Sequence, residues 1–296
     1  MLKESDKDQI RPFTRIVATI VVPFLALAFL ILYFFPEQSG EHFAWAINPP
    51  LTAMFMGAGY IGGAWLFVNA ILGKRWHRVA PGFWPVTTFT VAMLLATILH
   101  WEIFDLTHFP FILWLALYIV TPVLVPLVWL LNRSADPGTP EESDVIVPKV
   151  ARWALLSLGG VLLLFAVGGF INAAWLIAIW PWTLSPLTAH IMSGWFALLG
   201  VGGIAISRDG RWSAWKVGLQ SIGLWHLLVV VAAFVRSADF TNGLLNWYLI
   251  SVILVLVGMV ALYILMEGKR RDLWTDTAAS TVEPKTGNSH EASPTT

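Results

Sequence analysis

Long apolar runs separated by short polar segments dominate the chain. The runs cover residues 13–35, 50–73, 84–101, 110–132, 150–172, 187–207, 212–235 and 245–267. Each is long enough to cross about 30 Å of hydrocarbon at about 1.5 Å per residue, the third only just. None alternates with the period of two that a β-barrel strand requires. The pattern predicts an all-α polytopic membrane protein with eight transmembrane helices.

The polar segments are asymmetric in charge, which predicts a topology. Apart from Arg236, every Lys and Arg lies at or near the same end of the predicted spans. Short basic loops are retained in the cytoplasm, so we expect a multi-pass protein of the cytoplasmic membrane with both termini cytoplasmic. The first run is longer than the apolar part of a signal peptide, and we therefore expect it to remain as a helix.

A shift of 136 residues brings similar segments of the two halves into register. It pairs Pro50-Leu51-Thr52-Ala53 with Pro186-Leu187-Thr188-Ala189, and four spans and three loops fall in step without an insertion. This correspondence indicates a duplicated four-helix unit. Because four is an even number, the fold is predicted to be two tandem, parallel four-helix repeats.

The predicted organisation follows from these boundaries and from composition. A cytoplasmic tail, 1–11, precedes the first repeat, 12–133; a cytoplasmic linker, 134–149, leads to the second repeat, 150–271; and 272–296 forms a disordered cytoplasmic tail rich in Ser, Thr and Pro. Hydrophobic residues make up 57% of the chain, charged residues 12%, and the net charge is zero. We therefore expect the lipid bilayer as a partner and no nucleic acid, while a membrane-protein partner or oligomer and a chain that acts alone are both left open.

Two histidines within the spans are the first candidate site. His190 and His226 lie at nearly equal distances from the turn 207–211, so two consecutive antiparallel spans would carry a His at similar depth. Neutral imidazoles placed in this way can ligate haem b or another metal centre. The alternative is that each His only forms a hydrogen bond within the helix bundle.

A second candidate site lies in the first two loops on the outer side. These loops carry a carboxylate–imidazole cluster that could bind a divalent cation: His42, His100, Glu102, Asp105 and His108. The alternative is that acidic outer loops only reflect the charge asymmetry. The third outer segment, 172–182, is too apolar for a solvated loop and too short to span. We favour an aromatic anchor at the interface over a lid above His190.

The sequence leaves three classes of function open. No phosphate-binding loop, zinc-protease motif or nucleophile elbow occurs, so no catalytic residue is predicted. The favoured class is a membrane protein that binds or transports a small or lipophilic molecule. The alternatives are a haem b or quinone-linked redox subunit that uses His190 and His226, and a non-catalytic subunit of a larger membrane complex.

Overall fold

The computed structural model describes residues 8–142, 144–241 and 243–282. Within these residues the chain is helical and contains no β-strand. The ten α-helices are α1 (Pro12–Phe34), α2 (Ser39–His42), α3 (Pro50–Leu72), α4 (Phe83–Leu99), α5 (Phe109–Asn132), α6 (Lys149–Ile171), α7 (Ala173–Ile179), α8 (Pro186–Ser207), α9 (Trp212–Val235) and α10 (Leu245–Val282).

Eight helices in the described part of the chain are long and apolar enough to cross a membrane. They coincide with the eight predicted runs, so this part of the fold prediction is confirmed. The last helix is longer than expected, because α10 continues to Val282 instead of ending near residue 267. It therefore enters the segment that we predicted as a disordered tail, and the rest of that segment, 283–296, lies outside the described residues.

Local sequence explains where several helices begin. Pro12, Pro50 and Pro186 occupy the first turn of their helices, where a missing N–H costs nothing. The Ser185 side chain also caps α8 by accepting a hydrogen bond from the Thr188 N–H at 3.1 Å. Pro50 and Pro186 thus begin two helices at one end of the bundle, whereas Pro12 begins the first helix at the opposite end.

The helices form an inner and an outer set. The inner set consists of α3, α4, α8 and α9, in which α3 packs against α9 and α8 packs against α4. The outer helices α1 and α6 pack on α3 and α8, whereas α5 and α10 pack on α4 and α9. Each outer helix exposes most of its apolar surface, as expected where lipid replaces water.

Glycines allow the closest approaches between helices. A Cβ atom on Gly59 would lie 2.5 Å from the Trp195 ring, and one on Gly159 would lie 2.8 Å from the Gly200 carbonyl oxygen. Only small residues permit such contacts, which supply van der Waals packing where the hydrophobic effect between helices is weak.

The segment between α6 and α8, which we predicted as the third outer segment, folds back onto the bundle. It contains α7, and its Trp180 and Trp182 side chains are buried. Trp182 Nε1–H donates to Thr52 Oγ1 at 2.7 Å, while Trp175 remains 40% exposed. Trp180 and Trp182 thus pack within the protein. Of the three tryptophans, only Trp175 has the exposure expected of an aromatic anchor at the interface.

Candidate functional site

An apolar cavity lies within the first four spanning helices. Its side walls come from α1 and α5, and its back comes from α3 and α4. Together with the open space at its mouth it encloses about 920 Å³. The lining residues on α5 extend from Pro110 to Val125, which corresponds to roughly 20 Å along the helix. The cavity is therefore elongated and lined mainly by apolar side chains, as sites for lipophilic molecules are.

Polar contacts join the walls at both ends of the cavity. At one end, Asn132 Nδ2–H donates to Thr14 Oγ1 at 2.6 Å, and the Arg11 N–H donates to Asn132 Oδ1 at 3.1 Å. At the other end, His108 Nε2–H donates to the Phe43 carbonyl oxygen at 2.9 Å. These contacts fix α5 relative to α1 and to the loop between α2 and α3, and they leave the space between α1 and α5 open.

Two tyrosines supply the polar group inside the cavity. The Tyr60 and Tyr118 hydroxyl oxygens are 3.2 Å apart, and both side chains are buried. The cavity threonines Thr90 and Thr121 donate to carbonyl oxygens of their own helices. Two hydroxyls that share one hydrogen bond retain one O–H donor, and no other described residue accepts it. An unused donor in apolar surroundings is costly, so the site favours a guest with an acceptor oxygen.

The two predicted haem ligands have different partners. His190 Nε2–H donates to the Phe170 carbonyl oxygen at 3.1 Å, and His190 Nδ1 is 2.8 Å from His100 Nε2. His226 Nδ1–H donates to the Ile222 carbonyl oxygen of its own helix at 2.9 Å. Axial ligation of haem needs a free nitrogen on each ring, facing the other across the iron. Because hydrogen bonds occupy both nitrogens of His190, this arrangement does not favour a haem site.

The contact between His100 and His190 joins residues that were predicted to belong to separate sites. A carbonyl oxygen can only accept, so Nε2 of His190 carries the proton and its Nδ1 accepts from His100. Because His100 ends α4 and His190 lies in α8, the pair connects two inner helices. Nothing in the sequence indicated this pairing.

The predicted metal cluster is dispersed. His108 binds the Phe43 carbonyl, and Asp105 accepts hydrogen bonds from Thr107, which lower the pKa of its carboxyl group. His42 is exposed at the cavity, and Glu102 is exposed on its loop. Among the described residues, no group of three or more His, Cys, Asp or Glu is placed to hold a metal ion. The five residues therefore do not converge as the cation site would require.

A buried polar network lies at the end of the bundle that contains most of the basic residues. Asp8 accepts from the His77 N–H at 2.9 Å, and its second oxygen is 2.5 Å from His77 Nδ1. His77 Nε2 is 2.8 Å from Ser213 Oγ and 3.2 Å from a Glu141 oxygen. Ser213 Oγ–H donates in turn to Asp144 at 2.5 Å. We call Asp8, His77, Glu141, Asp144 and Ser213 the polar clamp.

The order Asp8–His77–Ser213 is that of a serine-hydrolase triad, but the protonation state differs. Burial lowers the pKa of His77, whereas its hydrogen bonds to Asp8 and Glu141 outweigh this effect and raise the pKa to about 9. The imidazole is therefore a cation at neutral pH and donates to Ser213. A triad needs a neutral imidazole that accepts the serine proton. The polar clamp thus holds loops together and does not activate Ser213.

Tyr60, Tyr118 and the polar clamp were not predicted from the sequence. Tyr60 and Tyr118 are two of only five tyrosines in the chain, and both fall inside predicted spans. Polar residues within spans are functional candidates by default, so the two tyrosines carried a signal.

No protein-family model, curated protein or solved structure matches this chain.

Proposed function

We propose that this integral membrane protein binds an elongated lipophilic molecule in the cavity between α1 and α5. The observation that carries the proposal is an apolar space about 20 Å long with a single unused hydroxyl donor at the Tyr60–Tyr118 pair. Such a space suits a molecule with an apolar chain and one carbonyl, ether or hydroxyl oxygen. The guest reaches the cavity from the bilayer, which already concentrates lipophilic molecules.

Extraction of the purified protein tests this proposal. We expect organic solvent to release, besides bilayer phospholipid, one further lipophilic species at about one molecule per chain, identified by mass spectrometry, after the detergent-solubilised protein has been washed. Release of bilayer lipids alone, in the proportions of the source membrane, would contradict the proposal.

The duplication into two tandem, parallel repeats is also part of the proposal, and the packing supports it. Shifting each helix by 136 residues converts the contact of α1 with α3 into that of α6 with α8. The same shift converts α3 with α9 into α8 with α4, and α4 with α5 into α9 with α10. In the polar clamp, His77 and Ser213 are themselves 136 residues apart and touch each other. Residues related by the repeat meet in this way when they lie on its axis.

A residue swap tests this relation between His77 and Ser213. His77→Ser removes the imidazole from the clamp, and Ser213→His places two imidazoles at the axis, so we expect each single variant to be less stable than the wild type. If the positions are equivalent, the double variant recovers part of the loss, because Asp144 then contacts the new imidazole. Thermal unfolding of all four proteins measures the coupling. Additive or greater loss in the double variant would argue against the equivalence.

We also infer that the end of the bundle with the polar clamp faces the cytoplasm, from the charge asymmetry. The chain has no cysteine, so single cysteines report topology directly. Ser237→Cys and Ser134→Cys place a thiol on opposite ends of the bundle. In intact cells, we expect an impermeant maleimide to label the former, and to label the latter only after permeabilisation. The reverse pattern would invert the orientation.

A further inference from the structure

A second concave surface lies on the outside of the bundle, apart from the cavity between α1 and α5. We call it the lateral groove; α3, α9 and α10 form it, and it encloses about 980 Å³ together with the open space at its mouth. Leu227 and Leu256 make one end of the groove apolar, whereas Gln220 and Tyr263 lie towards the other end. The groove is therefore amphipathic along its length.

A chain of hydrogen bonds crosses the polar part of the lateral groove. Trp65 Nε1–H donates to Gln220 Oε1 at 3.2 Å, and Gln220 Nε2–H donates to the Tyr263 hydroxyl oxygen at 3.0 Å. The Tyr263 oxygen accepts in this chain, so its own proton remains free to donate, and no described residue accepts it. Because a donor facing hydrocarbon is costly, an acceptor from the surroundings of the protein would stabilise this position.

Two cations lie next to this chain of hydrogen bonds. Lys216 Nζ is 3.0 Å and Arg270 is 3.7 Å from the same oxygen of Glu267, so two cations share one carboxylate. Tyr263 precedes Glu267 by one helical turn, which is about 6 Å along α10. A ligand with an anionic group beside Lys216 and an acceptor oxygen about one helical turn deeper in the bilayer would contact both the two cations and the Tyr263 hydroxyl donor.

We propose that the lateral groove binds a phospholipid of the bilayer. Its phosphate lies beside Lys216 and Arg270, an ester carbonyl accepts the Tyr263 hydroxyl proton, and one acyl chain lies along the apolar end. Gly223 leaves room for this chain, because a Cβ atom at that position would meet nothing within 4 Å. The site does not depend on the ligand of the cavity between α1 and α5.

Native mass spectrometry with dioleoylphosphatidylglycerol as the probe tests the proposal. We expect the wild-type protein to retain one molecule of this lipid, and Gly223→Leu to weaken retention by about tenfold, because the new side chain occupies the acyl path. Tyr263→Phe should weaken it about three- to tenfold through loss of the hydroxyl donor. Equal retention by the wild type and both variants would overturn the proposal.

Control measurements separate lipid binding in the groove from lipid binding elsewhere and from dimerisation. A Cβ on Gly160 would also meet nothing within 4 Å, so Gly160→Leu adds the same side chain away from the groove and should retain the lipid. Dioleoylglycerol, which lacks the phosphate, should bind more weakly than the phospholipid, and equal binding would overturn the assignment of the head group. If the wild type is a dimer and Gly223→Leu dissociates it, the groove binds a second copy of the chain. That result would overturn the proposal of a bound phospholipid. If the wild-type protein retains this lipid but contains no ligand in the cavity between α1 and α5, the proposed function is contradicted and the lipid site in the groove is not.

Discussion

Replacing Asp8 by Asn is expected to lower the free energy of unfolding by about 3 kcal/mol at pH 7. Asp8 and His77 are 1% and 2% exposed, and the carboxylate contacts both the His77 N–H and Nδ1. The variant removes the negative charge and leaves the imidazolium with only Glu141 as an anionic partner. Loss of one member of a buried charged pair costs several kcal/mol because the other charge stays desolvated.

The same pair makes stability depend on pH in a defined direction. Folding raises the pKa of His77 from 6.5 to about 9, so its stabilising contribution is complete below pH 6.5. The contribution decreases as pH rises and is lost through pH 9. At about 1.36 kcal/mol per pKa unit, the full contribution is about 3 kcal/mol. We expect the thermal midpoint of the wild type to fall between pH 6.5 and 9 more steeply than that of Asp8→Asn.

Asp144→Asn is the matched control for Asp8→Asn. Asp144 accepts from the Ser213 N–H and Oγ–H, which repeats the contacts of Asp8 but with a neutral partner. We therefore expect a smaller loss, of about 1 kcal/mol, and no change in the pH dependence. Thermal unfolding in nanodiscs from about pH 6 to about pH 9.5 measures both variants on either side of the His77 transition. Equal losses for the two, or a wild-type midpoint that does not vary with pH, would show that His77 is not the cation of the clamp.

Ala28→Phe is expected to remove the cavity ligand without unfolding the protein. Ala28 lies on α1 and lines the cavity, so a benzyl group there would occupy the space between α1 and α5. We expect the extracted lipophile to fall at least about tenfold, while the thermal midpoint stays unchanged or rises because the new side chain fills empty volume.

Leu164→Phe provides the control for Ala28→Phe. Leu164 is the residue that follows Ala28 by 136 positions, and it is 74% exposed on α6. Phenylalanine there adds the same ring to the outer surface of the bundle, and the ligand should remain at the wild-type level. If Ala28→Phe retains the ligand as well as Leu164→Phe does, the ligand occupies another site.

The spans were predictable from sequence because transfer of an apolar segment into lipid depends on that segment alone. The contact of His190 with His100, in place of His226, was not predictable. Equal depth along two spans does not determine the direction in which each side chain points. His190 faces α4 and contacts His100, whereas His226 bonds to its own helix. Depth along a span follows from counting residues, but rotation about the helix axis depends on all the neighbours in the bundle.

The cavity was not predictable for a related reason. It is a space between helices, bounded at one end by the contact of Asn132 with Thr14 of α1 and at the other by the contact of His108 with Phe43. Tyr60 and Tyr118 lie on different helices, and their contact requires the packing of α3 and α5 to be known.

The basic loops were predicted only for their effect on topology. In the structure they also form ion pairs, because Arg78 pairs with Glu141 and Arg211 with Asp136.

A density map of the purified protein in nanodiscs of its source membrane would show directly whether a lipophilic molecule occupies the cavity. We predict continuous elongated density between α1 and α5, with a polar end within hydrogen-bonding distance of the Tyr60 or Tyr118 hydroxyl. The contact between Asn132 and Thr14 should remain intact in the same map. A map in which α1 packs directly on α5, with side chains filling the space and no density between them, would contradict the proposed function.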